Sequence, residues 1–139
     1  MKLPLCPLSV ADKIKRIVND PLNLDDLMPQ VFHREKGAVV TFSGTIRDTE
    51  EGKAIRGIFY EAYAEMAEKE LEKIIFKTQD NLNVLVEIKH KVGWVKVGEA
   101  SLLVACAGVH RKEAFLACAE VVDQIKQNVP IWKARFDFL

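Results

Sequence analysis

Hydrophobic and polar positions along this chain alternate between two periods, and the switches between them mark the elements. SVADKIKRIV opens with Ser9 three residues before Asp12, a start resembling a capping box, and sets Ile14, Ile17 and Val18 on one stripe, which predicts a short first helix. PLNLDDLMPQVF has room for a brief helical turn that Pro29 keeps short. GAVVTFSGTIR, residues 37 to 47, is apolar and β-branched, with Gly44 marking a bulge or close backbone approach, so a buried strand is predicted. The polar DTEEGKA then turns the chain into a returning strand, IRGIFYEAY.

From Ala64 to Asn81 the period becomes helical, with Ala67, Leu71, Ile74, Ile75 and Thr78 on one face and Glu and Lys opposite. NVLVEIKH alternates as a strand, KVGWVKVGE reads as a glycine-punctuated turn region, and ASLLVACAG is a continuous apolar run of strand length. A last long helix is predicted from near His110 to Asn128, with Ala114, Cys118, Val121, Val122 and Ile125 inward. Pro130 ends it, because a residue before proline is pushed out of the helical region. The pattern predicts an α+β chain of mostly antiparallel strands with a long C-terminal helix. No repeat or long linker divides it, so residues 1–139 are expected to form one domain.

Composition narrows the function. Twenty basic residues balance twenty acidic ones, so no overall field draws the chain to nucleic acid or a membrane surface, and an anion site must be a local cluster. No stretch is apolar enough to span a bilayer and MKLPLCPLSV lacks the features of a signal peptide, which makes a cytoplasmic protein the expectation. Cys6, Cys106 and Cys118 form no C-x-x-C pair, so neither a disulfide framework nor a metal site is expected. Cys106 and Cys118, among Ala, Val, Phe and Leu, read as buried thiols.

The candidate chemistry is cationic. Arg47 ends the first strand; His110 and Arg111 open the last helix, where free N–H groups and the helix dipole suit a phosphate or carboxylate as well as a simple cap. Lys126 falls in that helix's last turn and Lys133 just beyond the break, pinned by Ile131 and Trp132. A desolvated or cation-crowded lysine is a usable base or nucleophile, whereas a solvated one is only a favourable charge at a helix end. His90 reads as a hydrogen-bonded structural histidine, Glu61 and Tyr63 as strand-face residues, and Trp94 and Trp132 as core or interface anchors.

GAVVTFSGTIRD, YEAYAEMAEKEL, HKVGWVKVGEASLLVACAGVHRKEAFLACAEVVDQIK and VPIWK together resemble the large, catalytic subunit of molybdopterin synthase, the MoaE family, over residues 37 to 133. The resemblance implies a fold of the α/β-hammerhead type and a sulfurtransferase of molybdenum cofactor biosynthesis. Such an enzyme converts cyclic pyranopterin monophosphate, precursor Z, into molybdopterin. It implies a small ubiquitin-like partner whose C-terminal Gly-Gly thiocarboxylate delivers the sulfur, and a central homodimer of large subunits with one small subunit at each end. It also implies substrate contacts at Thr45, Ile46, Arg47, His110, Arg111, Lys126, Lys133, Ala134 and Arg135, with Lys126 and Lys133 catalytic. No cofactor and no metal is implied for this subunit, because molybdenum enters only after the dithiolene exists.

Helix length adds a constraint. Arg111 and Lys126 lie fifteen positions apart on one predicted helix, about 22 Å along its axis. One small pterin cannot touch both from the same chain, so a shared pocket requires His110 and Arg111 to be donated across a twofold axis. Two departures from the family stand out: Arg135 replaces a usual glutamate, and the chain ends FDFL in place of a glycine- and tryptophan-containing tail. Lys91 for a common arginine is milder. The alternative reading is a noncatalytic dimeric module that binds the small subunit or a phosphorylated ligand without turnover.

Overall fold

The computed structural model describes residues 14–139. In chain order it has β1 (Ile17–Val18), a 3-10 turn (Leu24–Asp26), α1 (Met28–Val31), β2 (Ala38–Thr45), β3 (Thr49–Glu50) and β4 (Lys53–Ala62). Then come α2 (Ala64–Leu82), β5 (Leu85–Lys91), β6 (Gly93–Lys96), β7 (Ala100–Gly108), α3 (Arg111–Asn128) and β8 (Ile131–Phe138). One sheet has the order β1-β5-β7-β2, and it is antiparallel except for the β1/β5 pair. In the other, β4 is central, paired with β3, β6 and β8, all antiparallel.

The continuous apolar run of β7 has a direct cause: both its faces are covered. Leu102, Val104 and Cys106 join Val86, Ile88, the α2 stripe of Ala67, Leu71, Ile74 and Ile75, and the α3 stripe of Ala117, Cys118, Val121 and Ile125. Leu103, Ala105 and Ala107 face the other way, onto Leu27 and Val31. Each large aliphatic side chain enclosed this way contributes about 1.5–3 kcal/mol of transfer free energy. A third cluster, Ile46, Ile55, Ile58, Tyr60 and Val95, fills the second sheet's inner face. The helix breaks also have local causes. Asn83 takes a left-handed conformation (φ 51°) after α2, and Val129 before Pro130 is extended (φ −88°, ψ 127°) after α3.

The expected α+β class, the two long helices and the four long strands are present. Val122 lies only partly buried, and Ala117 takes a place on the inward stripe that was not expected of it. Four local readings need correction. The proposed cap at Ser9 and Asp12 lies outside the described residues, and Ile17 and Val18 are strand, not helix. Tertiary partners overrule the helical spacing there. Glu68 accepts bonds from the N–H groups of Arg16 and Ile17 at 3.0 Å, and Arg16 C=O accepts from His90 N at 2.8 Å. The Arg16 guanidinium meets the buried Glu87 carboxylate at 2.8 Å, which fixes the segment further.

KVGWVKVGE is not all turn. Gly93–Lys96 forms β6 around the fully buried Val95, and the turn is confined to the residues that follow. Similarly, DTEEGKA holds the short β3. Finally, α3 is not the last element: residues 131–138, left unassigned by periodicity, form β8 along β4. Its exposure pattern lacks clean alternation because a bulge interrupts it.

Candidate active site

Strand-end residues Thr45, Ile46 and Arg47 lie just past a register shift between Gly44 and Thr45, where β2 leaves its regular ladder with β7. Ile46 is buried and Arg47 exposed. Behind this segment Ser101 Oγ donates to Gly44 C=O at 3.2 Å, and the Ser101 side chain also bonds the Tyr60 hydroxyl. The Tyr60 ring stands edge-on to the His90 ring with centroids 5.3 Å apart. Lys126 on α3 is close enough that its charge acts on His90, and Lys133 on β8 is paired directly across from Tyr60. Tyr60, His90 and Ser101 therefore form a buried platform, and the strand end, Lys126 and Lys133 are arranged around it.

Lys133 reaches that position through a bulge. Phe59 pairs with Arg135 and Tyr60 with Lys133, so one step along β4 spans two along β8 and Ala134 is the extra residue. Cross-strand partners share a face of the sheet. Without the bulge Lys133 and Arg135 would point the same way. With it, Lys133 follows the inward Tyr60, whereas the Arg135 guanidinium lies over the Phe59 ring, 4.4 Å from its centroid, and 5.7 Å from that of Trp94. The bulge thus sends the Lys133 and Arg135 side chains to opposite faces of the sheet.

His110 and Arg111 are far from this cluster within one chain. Two rulers agree. Arg111 and Lys126 open and close α3, about 22 Å apart. The ladder that pairs Ala38 with Gly108 at one end and Thr45 with Ala100 at the other spans roughly 25 Å. His110 caps α3, its N–H donating to Glu113 Oε2 at 3.1 Å, so a capping role is fulfilled. Arg111 is exposed at the first helical position, where a cation opposes the helix dipole.

Five of the described cations are held in ion pairs. Arg16, Arg56, Lys69, Lys73 and Lys91 each meet a carboxylate. Arg47, Arg111, Lys126 and Lys133 have none within 4.0 Å among the described residues, and all four are exposed. Two open depressions, one of about 440 Å³ beside Phe59, Tyr63 and Trp132 and one of about 590 Å³ along Tyr63–Lys69, are not lined by these residues. In a single chain these cations are exposed outside both depressions, with Arg111 at the opposite end of α3 from Lys126.

His90 is buried and neutral. Its Nδ1 lies 2.8 Å from Lys91 C=O, which requires the proton on Nδ1. Burial first, and the Lys126 charge after it, push its pKa from 6.5 down to about 4, against the opposing pull of the Lys91 carbonyl. The unfolded chain therefore binds a proton at His90 that the folded chain refuses between those values. Stability from this residue is complete above pH 6.5 and is lost as pH falls through about 4, by on the order of 3 kcal/mol. Urea unfolding across this window is expected to show a decline that His90→Gln flattens; parallel declines in both proteins would contradict the assignment.

Tyr60 and Ser101 escaped the sequence reading because nothing in their spacing marks them; only the register of β4 against β8 and β7 against β2 brings them beneath the cations. The bulge at Ala134 was hidden for the same reason. Cys106 and Cys118 are buried, as expected, and share a hydrogen bond that, with burial, pushes the Cys106 thiol up. No cluster of metal-ligating side chains occurs among the described residues.

A model of the MoaE protein family matches residues 17–128. A relative from Thermoplasma volcanium, named as a molybdopterin synthase catalytic subunit, is 37% identical over 118 residues, covering 84% of this chain and 86% of its own length. A protein of the same name from Pyrococcus abyssi is 38% identical over 115 residues, 82% of this chain and 78% of its own. Among solved structures, molybdopterin synthase from Staphylococcus aureus superposes with a TM-score of 0.81 at 28% identity, covering 90% of this chain and 96% of that one. One chain from a complex of subunits 1 and 2 of molybdopterin-converting factor from Helicobacter pylori gives 0.72 at 25% identity, covering 88% of each.

Proposed function

The chain belongs to the MoaE protein family, and from that premise we propose that it acts as the catalytic subunit of a molybdopterin synthase. Its substrates in this reading are precursor Z and the C-terminal thiocarboxylate of a small ubiquitin-like partner. The carrying observation is that Lys126 and Lys133, exposed and without carboxylate partners among the described residues, lie against the buried Tyr60–His90 pair, to which Ser101 ties the strand end that precedes Arg47. Unneutralised cations held at one end of a fold suit a substrate that brings its own negative charge.

In this mechanism the thiocarboxylate sulfur attacks an oxygen-bearing carbon of the pterin side chain and an oxygen leaving group departs; water then cleaves the resulting acyl–sulfur bond, leaving the sulfur on the pterin and a carboxylate on the partner, and the cyclic phosphate opens to a monoester. Arg47 and Arg111 hold phosphate oxygens through their planar forks, and Lys133 adds a point charge. Lys126 stabilises the developing oxyanion, supplies the proton that the leaving oxygen needs, or acts through its amine as a covalent nucleophile, roles that substitution by arginine separates. Thr45 and Ile46 present the backbone beside Arg47. Ala134 contributes by its bulge. Arg135, stacked on Phe59, stands outside the cluster that Lys133 joins.

His110 and Arg111 enter from the second subunit of a homodimer, giving two equivalent pockets. The direct test is to incubate the purified protein with thiocarboxylated small partner and precursor Z and to follow product by mass spectrometry. Molybdopterin is the expected product. Tight partner binding with no product would instead establish the noncatalytic module.

A further inference from the structure

We infer that Glu99 is a positioning residue for Arg47, holding the backbone from which that guanidinium projects. The inference rests on the reading of Arg47 as a substrate-phosphate ligand. After the register shift at Gly44/Thr45, β2 no longer takes its bonds from the regular β7 ladder. The turn before β7 takes over. Ile46 N–H donates to Glu99 C=O at 3.1 Å, and Ile46 C=O accepts from Gly98 N–H at 3.0 Å. Both backbone groups of the residue preceding Arg47 are therefore fixed by Gly98 and Glu99, and the Ile46 side chain is sealed against Ile55, Ile58 and Val95.

The Glu99 side chain in turn holds that turn in shape. Its Oε1 accepts from Lys96 N–H at 2.8 Å, while Glu99 N–H donates to Lys96 C=O at 2.9 Å, closing a reciprocal pair across the turn. Gly98 has φ +87°, a left-handed conformation that tolerates few other residues. On the far side Oε2 faces Lys91 Nζ at 4.0 Å, and the Lys91 side chain is only 9% exposed. A buried ammonium needs a partner, so Lys91 and Glu99 anchor each other. The path runs from Lys91 to Glu99, to the clamped Ile46, to an Arg47 that is exposed and has no ion pair among the described residues. Glu99 touches no substrate in this arrangement; it acts through Arg47.

The test is steady-state kinetics of the complete complex with the thiocarboxylated partner and precursor Z, on Glu99→Ala, Arg47→Ala and the double variant. Glu99→Ala is expected to raise KM for precursor Z about tenfold with kcat within about twofold. In the Arg47→Ala background it is expected to change KM less than about twofold, because the residue it positions is gone. Glu99→Gln, which keeps the Lys96 acceptor, is expected to fall between wild type and Glu99→Ala. If Glu99→Ala does not fold, Lys91→Met/Glu99→Leu removes both charges together and the cycle is run on that pair. Full additivity of the two KM effects, or a loss confined to kcat, overturns the inference. An unchanged KM in Arg47→Ala overturns the reading of Arg47 beneath it and the inference with it.

Discussion

Lys126→Ala is expected to lower the rate of molybdopterin formation by at least ~100-fold, the scale associated with removing a proton donor or an oxyanion-stabilising charge. Thermal stability is expected to stay nearly unchanged. Lys126 is exposed in the last turn of α3, without a carboxylate partner among the described residues, and a cation there stabilises the helix by only about 0.3–1 kcal/mol. A large kinetic loss beside a small shift in melting temperature therefore separates chemistry from folding. Lys126→Arg divides the two roles further. Arginine keeps the charge but does not release a proton near neutral pH, so partial activity indicates electrostatic stabilisation and inactivity indicates proton transfer or a covalent amine. Full activity in Lys126→Ala would remove this residue from the mechanism.

Arg111→Ala is expected to cost ~10- to 100-fold in kcat/KM, mainly through KM, although Arg111 lies about 22 Å from Lys126 along its own helix. Nothing in the isolated chain demands an arginine at that position. A cation at a helix N-terminus opposes the dipole, so the alanine variant is expected to fold at least as well as wild type. Loss of activity with unchanged or raised stability would mark Arg111 as held for a ligand. Wild-type kcat/KM in this variant would contradict its place in the pocket.

Long periodic segments made much of this architecture legible. The α2 stripe, the β7 run and the stop at Pro130 each follow from side-chain spacing and backbone sterics, and they locate Arg47, His110, Arg111, Lys126 and Lys133 on their elements. Elements that depend on distant partners were illegible. Ile17 and Val18 carry helical spacing yet form a strand, because Glu68 and His90 capture the neighbouring backbone groups. The tail from Ile131 is a strand because β4 offers an edge, and the bulge at Ala134 breaks the alternation by which it would have been read. That same bulge decides which side of the sheet Lys133 and Arg135 take, which their two-residue spacing does not reveal. Tyr60 and Glu99 gain their roles only from register.

A pocket shared between two copies of the chain is the central claim, and mixing two impaired variants tests it most directly. Assayed with precursor Z well below the wild-type KM, Arg111→Ala and Lys126→Ala homodimers are expected to retain at most about a tenth and about a hundredth of wild-type activity. Co-expressed in equal amounts, half of the dimers are mixed, and each mixed dimer holds one pocket with Lys126 from one subunit and Arg111 from the other. Recovery of roughly a quarter of wild-type activity is the expected result. Activity no greater than that of the separate variants, in a preparation shown by mass spectrometry to contain mixed dimers, would contradict it.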